Sequence, residues 1–214
     1  MTPASAPQEE SPAAARNLAT VAVIWILALV ASGVAPRDRL TWVMEVAPVL
    51  IALPLLAATR TRFPFTTLSY WLIAVHGLIL IVGGAYTYAH VPAGFWVQEW
   101  LGLERNPYDR LGHFAQGFVP AIVAREILIR TFRLAPGNFL FFITTCICLA
   151  VSAFYELIEW WSALALGQGA DEFLGTQGDP WDTQWDMFLA LVGACVSQLV
   201  FSRRHDRQIA SMRI

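Results

Sequence analysis

Charge is scarce in this sequence, and one kind is missing. Charged residues make up 14% of the 214, against about 25% in an ordinary globular chain, and every one of the 14 basic residues is arginine. With 16 acids and a net charge of -2 there is no basic stripe of the sort that phosphate backbones require, which sets aside a nucleic-acid partner. Only three cysteines occur, Cys146, Cys148 and Cys195, each inside an apolar run, so they read as small hydrophobes and not as a secreted disulfide framework. What is abundant is hydrocarbon: 57% of the residues are hydrophobic, and too little polar surface remains to wrap such a core in water. The solvent this chain suits is a bilayer.

A helix crossing about 30 Å of hydrocarbon needs roughly 20 mainly apolar residues, because lipid offers an unpaired amide no partner. Six stretches meet this: residues 17–35, 40–58, 68–90, 109–131, 139–166 and 181–201, with Pro48, Pro54 and Pro120 as expected kinks. The expected fold is therefore an all-α, six-span polytopic bundle, residues 17–202. A disordered tail, residues 1–16, precedes it and a basic cytoplasmic tail, residues 203–214, follows it. A cleaved signal peptide competes for the first span, since Ala31, Ser32 and Gly33 form a small-residue run, but Arg16 alone stands where a positive n-region belongs. With the N-terminus in the cytoplasm, Arg16, Arg60, Arg62, Arg130, Arg133, Arg203, Arg204, Arg207 and Arg213 fall inside, against Arg37, Arg39 and Arg105 outside. The positive-inside bias thus puts both termini in the cytoplasm.

Ionisable groups within a span cost about 2.5 to 3.5 kcal/mol on insertion scales, so each needs a reason. Here they gather in the last three spans. Asp109, His113 and Gln116 are spaced four and three apart, Glu156 and Glu159 three apart, and Asp179, Asp182 and Asp186 three and four apart, so each set marks one helix face. The fifth span, rising from the cytoplasm, brings its two glutamates roughly 26 to 30 Å up, level with the outward starts of its neighbours. Three helices are thus expected to aim carboxylates and one imidazole at a shared cavity open to the outside.

Six carboxyls, those of Asp109, Glu156, Glu159, Asp179, Asp182 and Asp186, face Arg110 as the evident nearby cation. Pairing alone cannot neutralise them, so either several are protonated or a divalent cation or cationic ligand sits among them. The expected ligands are Asp109, His113, Glu156, Asp182 and Asp186, with Glu159 or His113 as base for an activated water, and Arg110, Gln116 and Asp179 completing the polar cluster. Magnesium, manganese, calcium and zinc all suit such donors. The purely structural alternative is a set of interhelical ion pairs. Glu45 on the second span either joins the cavity or pairs with Arg37 or Arg39. His76 and His90 read as satisfied bundle residues, and Arg125 and Glu126 as an inner-side ion pair with another helix.

The acidic, glycine-rich loop of residues 167–182 has four glycines and no basic residue, the makeup of a lid or binding loop. Trp160, Trp161, Trp181 and Trp185 bracket it at interface level, as anchoring aromatics do.

Three motifs carry a family resemblance: Tyr108-Asp-Arg-Leu-Gly-His-Phe-Ala-Gln-Gly117, Phe154-Tyr-Glu-Leu-Ile-Glu-Trp-Trp161 and Gly175-Thr-Gln-Gly-Asp-Pro-Trp-Asp-Thr-Gln-Trp-Asp-Met187. Through them the sequence resembles the YjdF-like bacterial inner-membrane proteins over about residues 20 to 205, which implies a multi-pass inner-membrane protein and no particular activity. A looser likeness, at Asp109, Arg110, His113, Glu156, Asp182 and Asp186 with Gly193 and Ala194 following, is to VanZ-like proteins and implies a link to the cell envelope. Spans one to three have no counterpart there. Three function classes follow: a metal-dependent site that binds or acts on an envelope lipid or its headgroup, a cation or proton-coupled transporter, and a non-catalytic envelope protein that uses the cluster for packing.

Overall fold

The computed structural model describes residues 12–166 and 177–212. Their secondary structure is helical: α1 Pro12–Gly33, α2 Arg39–Thr59, α3 Thr67–Ala85, α4 Pro92–Leu101, α5 Tyr108–Arg130, α6 Asn138–Leu166 and α7 Asp182–Ser211. Five of these, α1, α2, α3, α6 and α7, are long and apolar enough to cross a membrane. The fourth expected span, α5, is long enough at 23 residues, but its mean hydropathy is pulled down by Asp109, Arg110, His113, Arg125, Glu126 and Arg130. Four of these six, Asp109, His113, Arg125 and Glu126, are buried, so α5 keeps most of its polar atoms from lipid by occupying the centre of the bundle. The chain is an all-helical polytopic membrane protein.

Two lobes meet at α5. In the first, α1, α2 and α3 pack through Trp25, Val46, Val49, Tyr70 and Ile81, and the Trp25 indole donates to the Ala74 carbonyl (3.0 Å). In the second, α5 and α7 cross with their backbones in contact: a Cβ on Gly117 would lie 1.8 Å from the Ala190 oxygen, and one on Gly193 2.2 Å from the Phe114 oxygen. Small residues permit this approach where no hydrophobic effect drives helices together in lipid. α6 closes the second lobe, with the Gln198 amide donating to the Phe141 carbonyl (3.3 Å) and Thr145 hydroxyl (3.0 Å).

The apolar side chains Leu27, Val30, Ile51, Phe142, Leu199 and Val200 are exposed, as a lipid-facing surface requires. Trp160, Trp161, Trp181 and Trp185 are exposed too, consistent with anchoring. The short helix α4, which the hydropathy pattern does not mark as a span, shows Trp96 (73%) and Trp100 (82%) to its surroundings and ends on Gly102 in the left-handed conformation (φ 63°). Ten residues cannot span hydrocarbon, so α4 is suited to lie along the interface.

Two boundaries differ from the sequence expectation. α1 begins at Pro12, inside the stretch expected as a tail; residues 1–11 lie outside the described ones. Of the expected C-terminal tail, residues 203–211 continue α7 for about two and a half turns, with His205 and Ile209 buried against the bundle. Most of the expected lid, residues 167–176, also lies outside the described residues.

At the arginine-rich end, assigned to the cytoplasm by the positive-inside bias, Arg125 and Glu126 do more than form an ion pair. Glu126 is fully buried and accepts from the backbone N–H and hydroxyl of Thr66 (2.9 Å each), the Ser69 hydroxyl (2.6 Å), Arg130 (2.7 Å) and His205 Nε2 (3.1 Å). Gln208 of α7 accepts from Leu68 N–H (3.0 Å). The first amides of α3, which its own helix cannot satisfy, are thus held by side chains of α5 and α7. Arg125 reaches Asp206 (2.7 Å) and His205 Nδ1 (3.3 Å); a guanidinium only donates, so Nδ1 accepts and Nε2 carries the hydrogen given to Glu126.

At the opposite end, Asp38 caps α2 by accepting from Thr41 N–H (2.7 Å), and those hydrogen bonds hold its carboxyl below its ordinary value of 3.8. Asp38→Ala is expected to cost about 1 kcal/mol at neutral pH. A depressed folded-state pKa stabilises above the unfolded value and loses that contribution as pH falls through the folded one. Thermal unfolding of wild type and variant should therefore converge below pH 3.8; a gap that widened in acid would contradict the assignment.

Candidate functional site

The outward ends of α5, α6 and α7 bring together most of the residues their spacing singles out. Asp109 and His113 of α5, Glu156 of α6 and Asp186 of α7 are all buried, and Glu159 stands half-buried beside them. The shared chamber has a volume of about 240 Å³ and is walled by Asp109, His113, Gln116, Tyr155 and Glu159. α2 contributes Glu45, which is buried, receives the Tyr155 hydroxyl (3.3 Å) and is hydrogen-bonded by Tyr88. Of the two readings of Glu45, the structure selects the cavity.

Asp182 and Asp179 belong elsewhere. Arg105, from the α4–α5 loop, forms an ion pair with Asp182, donates to Asp109 (3.2 Å) and lies 3.7 Å from Asp179, which also takes Arg110 (3.1 Å). Asp182 was expected as a metal ligand; its carboxylate is instead bound by a guanidinium, and it falls outside both groups of donors close enough to share an ion. The expected charge count changes with it, because Arg105 joins Arg110 as a nearby cation. These two arginines serve the rim, while Glu45 and Glu159 line the chamber and Glu156 and Asp186 are buried beside His113. Arg110 also lies 5.4 Å over the Trp185 ring, tying the rim to the interfacial aromatics.

The position of Arg105 depends on its neighbour. Asn106 is buried, its side chain donates to the Val91 carbonyl (3.0 Å) and accepts from Tyr108 N–H (3.0 Å), and its backbone exchanges two hydrogen bonds with Gln177 (3.0 and 3.1 Å). The loop is thereby pinned to the segment leading into α7.

His113 stands at the centre. Its Nδ1 is 3.2 Å from Gln116 Oε1, an acceptor, so Nδ1 carries the ring hydrogen and Nε2 presents a lone pair. That Nε2 faces Asp109 Oδ1 at 3.6 Å and Asp186 Oδ2 at 3.7 Å. Both separations are too long for hydrogen bonds. They are close to the roughly 3.4 Å that two donors keep when bound tetrahedrally to one ion at about 2.1 Å. Asp109, His113 and Asp186 all fall within 4.8 Å of one another, as do His113, Glu156 and Glu159. Since Nδ1 is committed to Gln116, the first group has the free lone pair. Asp186 Oδ1 and Glu156 Oε1 are buried without a hydrogen-bond partner, and an unmatched buried acceptor of this kind calls for a proton or a cation.

The remaining histidines separate. His90 Nδ1 meets the Thr87 hydroxyl at 3.1 Å, a local contact. His76 Nε2 is buried without a hydrogen-bond partner and lines the floor of the acidic chamber, contrary to the expectation of a satisfied bundle residue. The cysteines are free thiols, as expected.

Comparison with known proteins agrees with the fold. Residues 17–207 match the family model described as "Predicted membrane protein (DUF2238)". The chain is 58% identical over 192 residues to the Inner membrane protein YjdF of Escherichia coli (strain K12), an overlap covering 90% of this chain and 92% of that one. No solved structure matches it. With five long apolar helices, a buried polar sixth and this likeness across nearly its full length, the chain belongs to the YjdF-like DUF2238 family of multi-pass inner-membrane proteins.

Proposed function

We propose that Asp109, His113 and Asp186, at the wall of the outward chamber, hold a divalent cation, and that the site binds or acts on the phosphate-bearing headgroup of an envelope lipid. The observation that carries this reading is the pair of carboxylate oxygens, from Asp109 and Asp186, that face His113 Nε2 at 3.6 and 3.7 Å, ligand-to-ligand and not hydrogen-bond separations, with Asp186 Oδ1 buried and lacking any donor. A cation there offsets Asp186, which neither Arg105 nor Arg110 pairs with, shares Asp109 with Arg105, and gives an anionic headgroup a positive point to bind in a chamber that would otherwise repel it. With His113 committed as a ligand, the base for a metal-bound water falls to Glu159, and Glu156, which lies with Glu159 beside His113, is its partner. Gln116 fixes the histidine tautomer, a supporting role typical of groups one layer out from a metal.

The test is metal content. Full-length protein, purified in detergent and equilibrated with manganese or zinc, should retain about one ion per chain. His113→Ala and Asp186→Asn should each lose it, and Asp179→Asn, on the arginine-paired rim, should keep it. Wild-type protein that retains no more metal than Asp186→Asn would overturn the proposal.

A further inference from the structure

The acidic chamber is one end of a longer space. Beneath it, between α1, α2, α3 and α5, lies a second cavity of about 500 Å³, lined by Trp25, Val49, Ala52, Leu56, Ile73 and Val123 and almost wholly apolar. Pro48, His76, Leu80 and Pro120 line both spaces, so the two share a neck. The neck contains the two prolines that interrupt facing helices, Pro48 in α2 and Pro120 in α5. A proline within a helix removes one hydrogen bond and bends the axis, which accounts for a gap between lobes that otherwise pack closely.

The space is partly open to its surroundings, where Leu55 is exposed, and its volume of about 500 Å³ is in the range of dedicated ligand sites. Its lining along α2 extends from Pro48 to Thr59, and eleven steps at about 1.5 Å each make about 16 Å, half of a hydrocarbon core of about 30 Å. That is the length of one leaflet's worth of extended chain. At the neck, where a lipid passes from hydrocarbon to polar atoms, sits the unpartnered Nε2 of His76, and above it the carboxylates and His113.

We infer that the two spaces together are the binding site of a single membrane lipid, its hydrocarbon chain in the apolar cavity, an oxygen of its linkage at His76, and its phosphate headgroup in the acidic chamber. The headgroup end rests on the metal proposed above; the chain end does not. Chemical class follows from the shape: a lipid with a long chain and an anionic head, in place of a free phosphate or a soluble sugar phosphate, for which the apolar half would have no use. Side chains rather than backbone form the apolar walls, so the cavity can be filled by substitution without touching the acidic chamber.

The test uses detergent-purified full-length protein and quantitative lipid extraction after extensive delipidating chromatography, with metal content measured on the same samples. Wild type is expected to retain about one phospholipid per chain. Ala52→Trp should reduce that at least tenfold while leaving metal content unchanged. Should Ala52→Trp fold poorly, Val123→Trp fills the same cavity from α5. Phosphatidylglycerol carrying a diazirine at mid-chain should label Ile73, Val123 or Leu56 in wild-type protein reconstituted in vesicles. Retention equal in wild type and both variants, or labelling confined to the lipid-facing Ile51, Phe142 and Leu199, marks annular lipid only and overturns the inference. Lipid held in a cavity-dependent way by protein without metal would refute the cation and leave the lipid site standing. Metal without retained lipid would do the reverse.

Discussion

Glu126→Ala is expected to destabilise the protein by about 3 to 5 kcal/mol, the largest effect of any single polar substitution in the bundle. Every group facing Glu126 is a donor: the Thr66 amide and hydroxyl, the Ser69 hydroxyl, Arg130 and the Nε2–H of His205. Only an ionised carboxylate accepts from so many at once. Removing it leaves Arg130 and several buried donors of α3 and α7 unmatched, and the cost of that desolvation exceeds what the contacts themselves contribute. Glu126→Gln should fall between wild type and alanine, because its amide nitrogen brings a further donor into a site that has only donors. Thermal unfolding in detergent measures both. The double variant Glu126→Ala with Arg130→Ala should lose less than the two single losses together, since the arginine is costly mainly when its partner is gone. Equal stability of wild type and Glu126→Ala would mean that the cytoplasmic end is held by apolar packing alone.

This inner network and the outer chamber differ in how much of them the sequence reveals. Asp109, His113 and Gln116, Glu156 and Glu159, and Asp186 are visible because helical periodicity converts spacing into a face, and a charged face in a membrane helix must turn inward. Depth follows from rise per residue, so their convergence at one level is legible too. Arg105 and Glu45 are not. Arg105 lies outside any span, and its direction is decided by Asn106, whose partners Val91 and Gln177 are 15 and 71 residues distant. The one local hint was its four-residue spacing to Asp109. For Asp182 the reason is the same: spacing places it on the acidic face but does not reveal its pairing with Arg105. Glu45 carries no periodic signal on a helix otherwise apolar, and only the packing of α2 against α3 and the reach of Tyr155 settle its side. Likewise, Glu126 and His205 lie 79 residues apart, and no local rule pairs them. The cavity between the lobes arises from two prolines on different helices facing each other, a coincidence of tertiary structure.

Gly117→Ala is expected to be the most damaging small-to-large change, and to weaken the metal site without altering any ligand. The added Cβ would sit 1.8 Å from the Ala190 carbonyl oxygen and 2.5 Å from its carbon, so the obstacle is backbone that cannot rotate away. α5 and α7 must separate, which places the loss at or above the 1 to 3 kcal/mol usual for overpacking. Gly117 lies one turn below His113, and Ala190 one turn below Asp186, so the same separation draws His113 Nε2 away from Asp186 Oδ2, now 3.7 Å apart. A misplacement of about 1 Å in a preorganised site costs on the order of a hundredfold, and metal affinity should fall accordingly. Gly77→Ala is the informative comparison. Its Cβ would meet Trp25 at 2.2 Å, a clash nearly as short, but with an indole ring that can shift toward the inter-lobe cavity. Gly77→Ala should therefore lower the unfolding temperature less and leave metal binding intact. Equal effects of the two substitutions on metal affinity would show that the α5–α7 crossing does not set the geometry of the site.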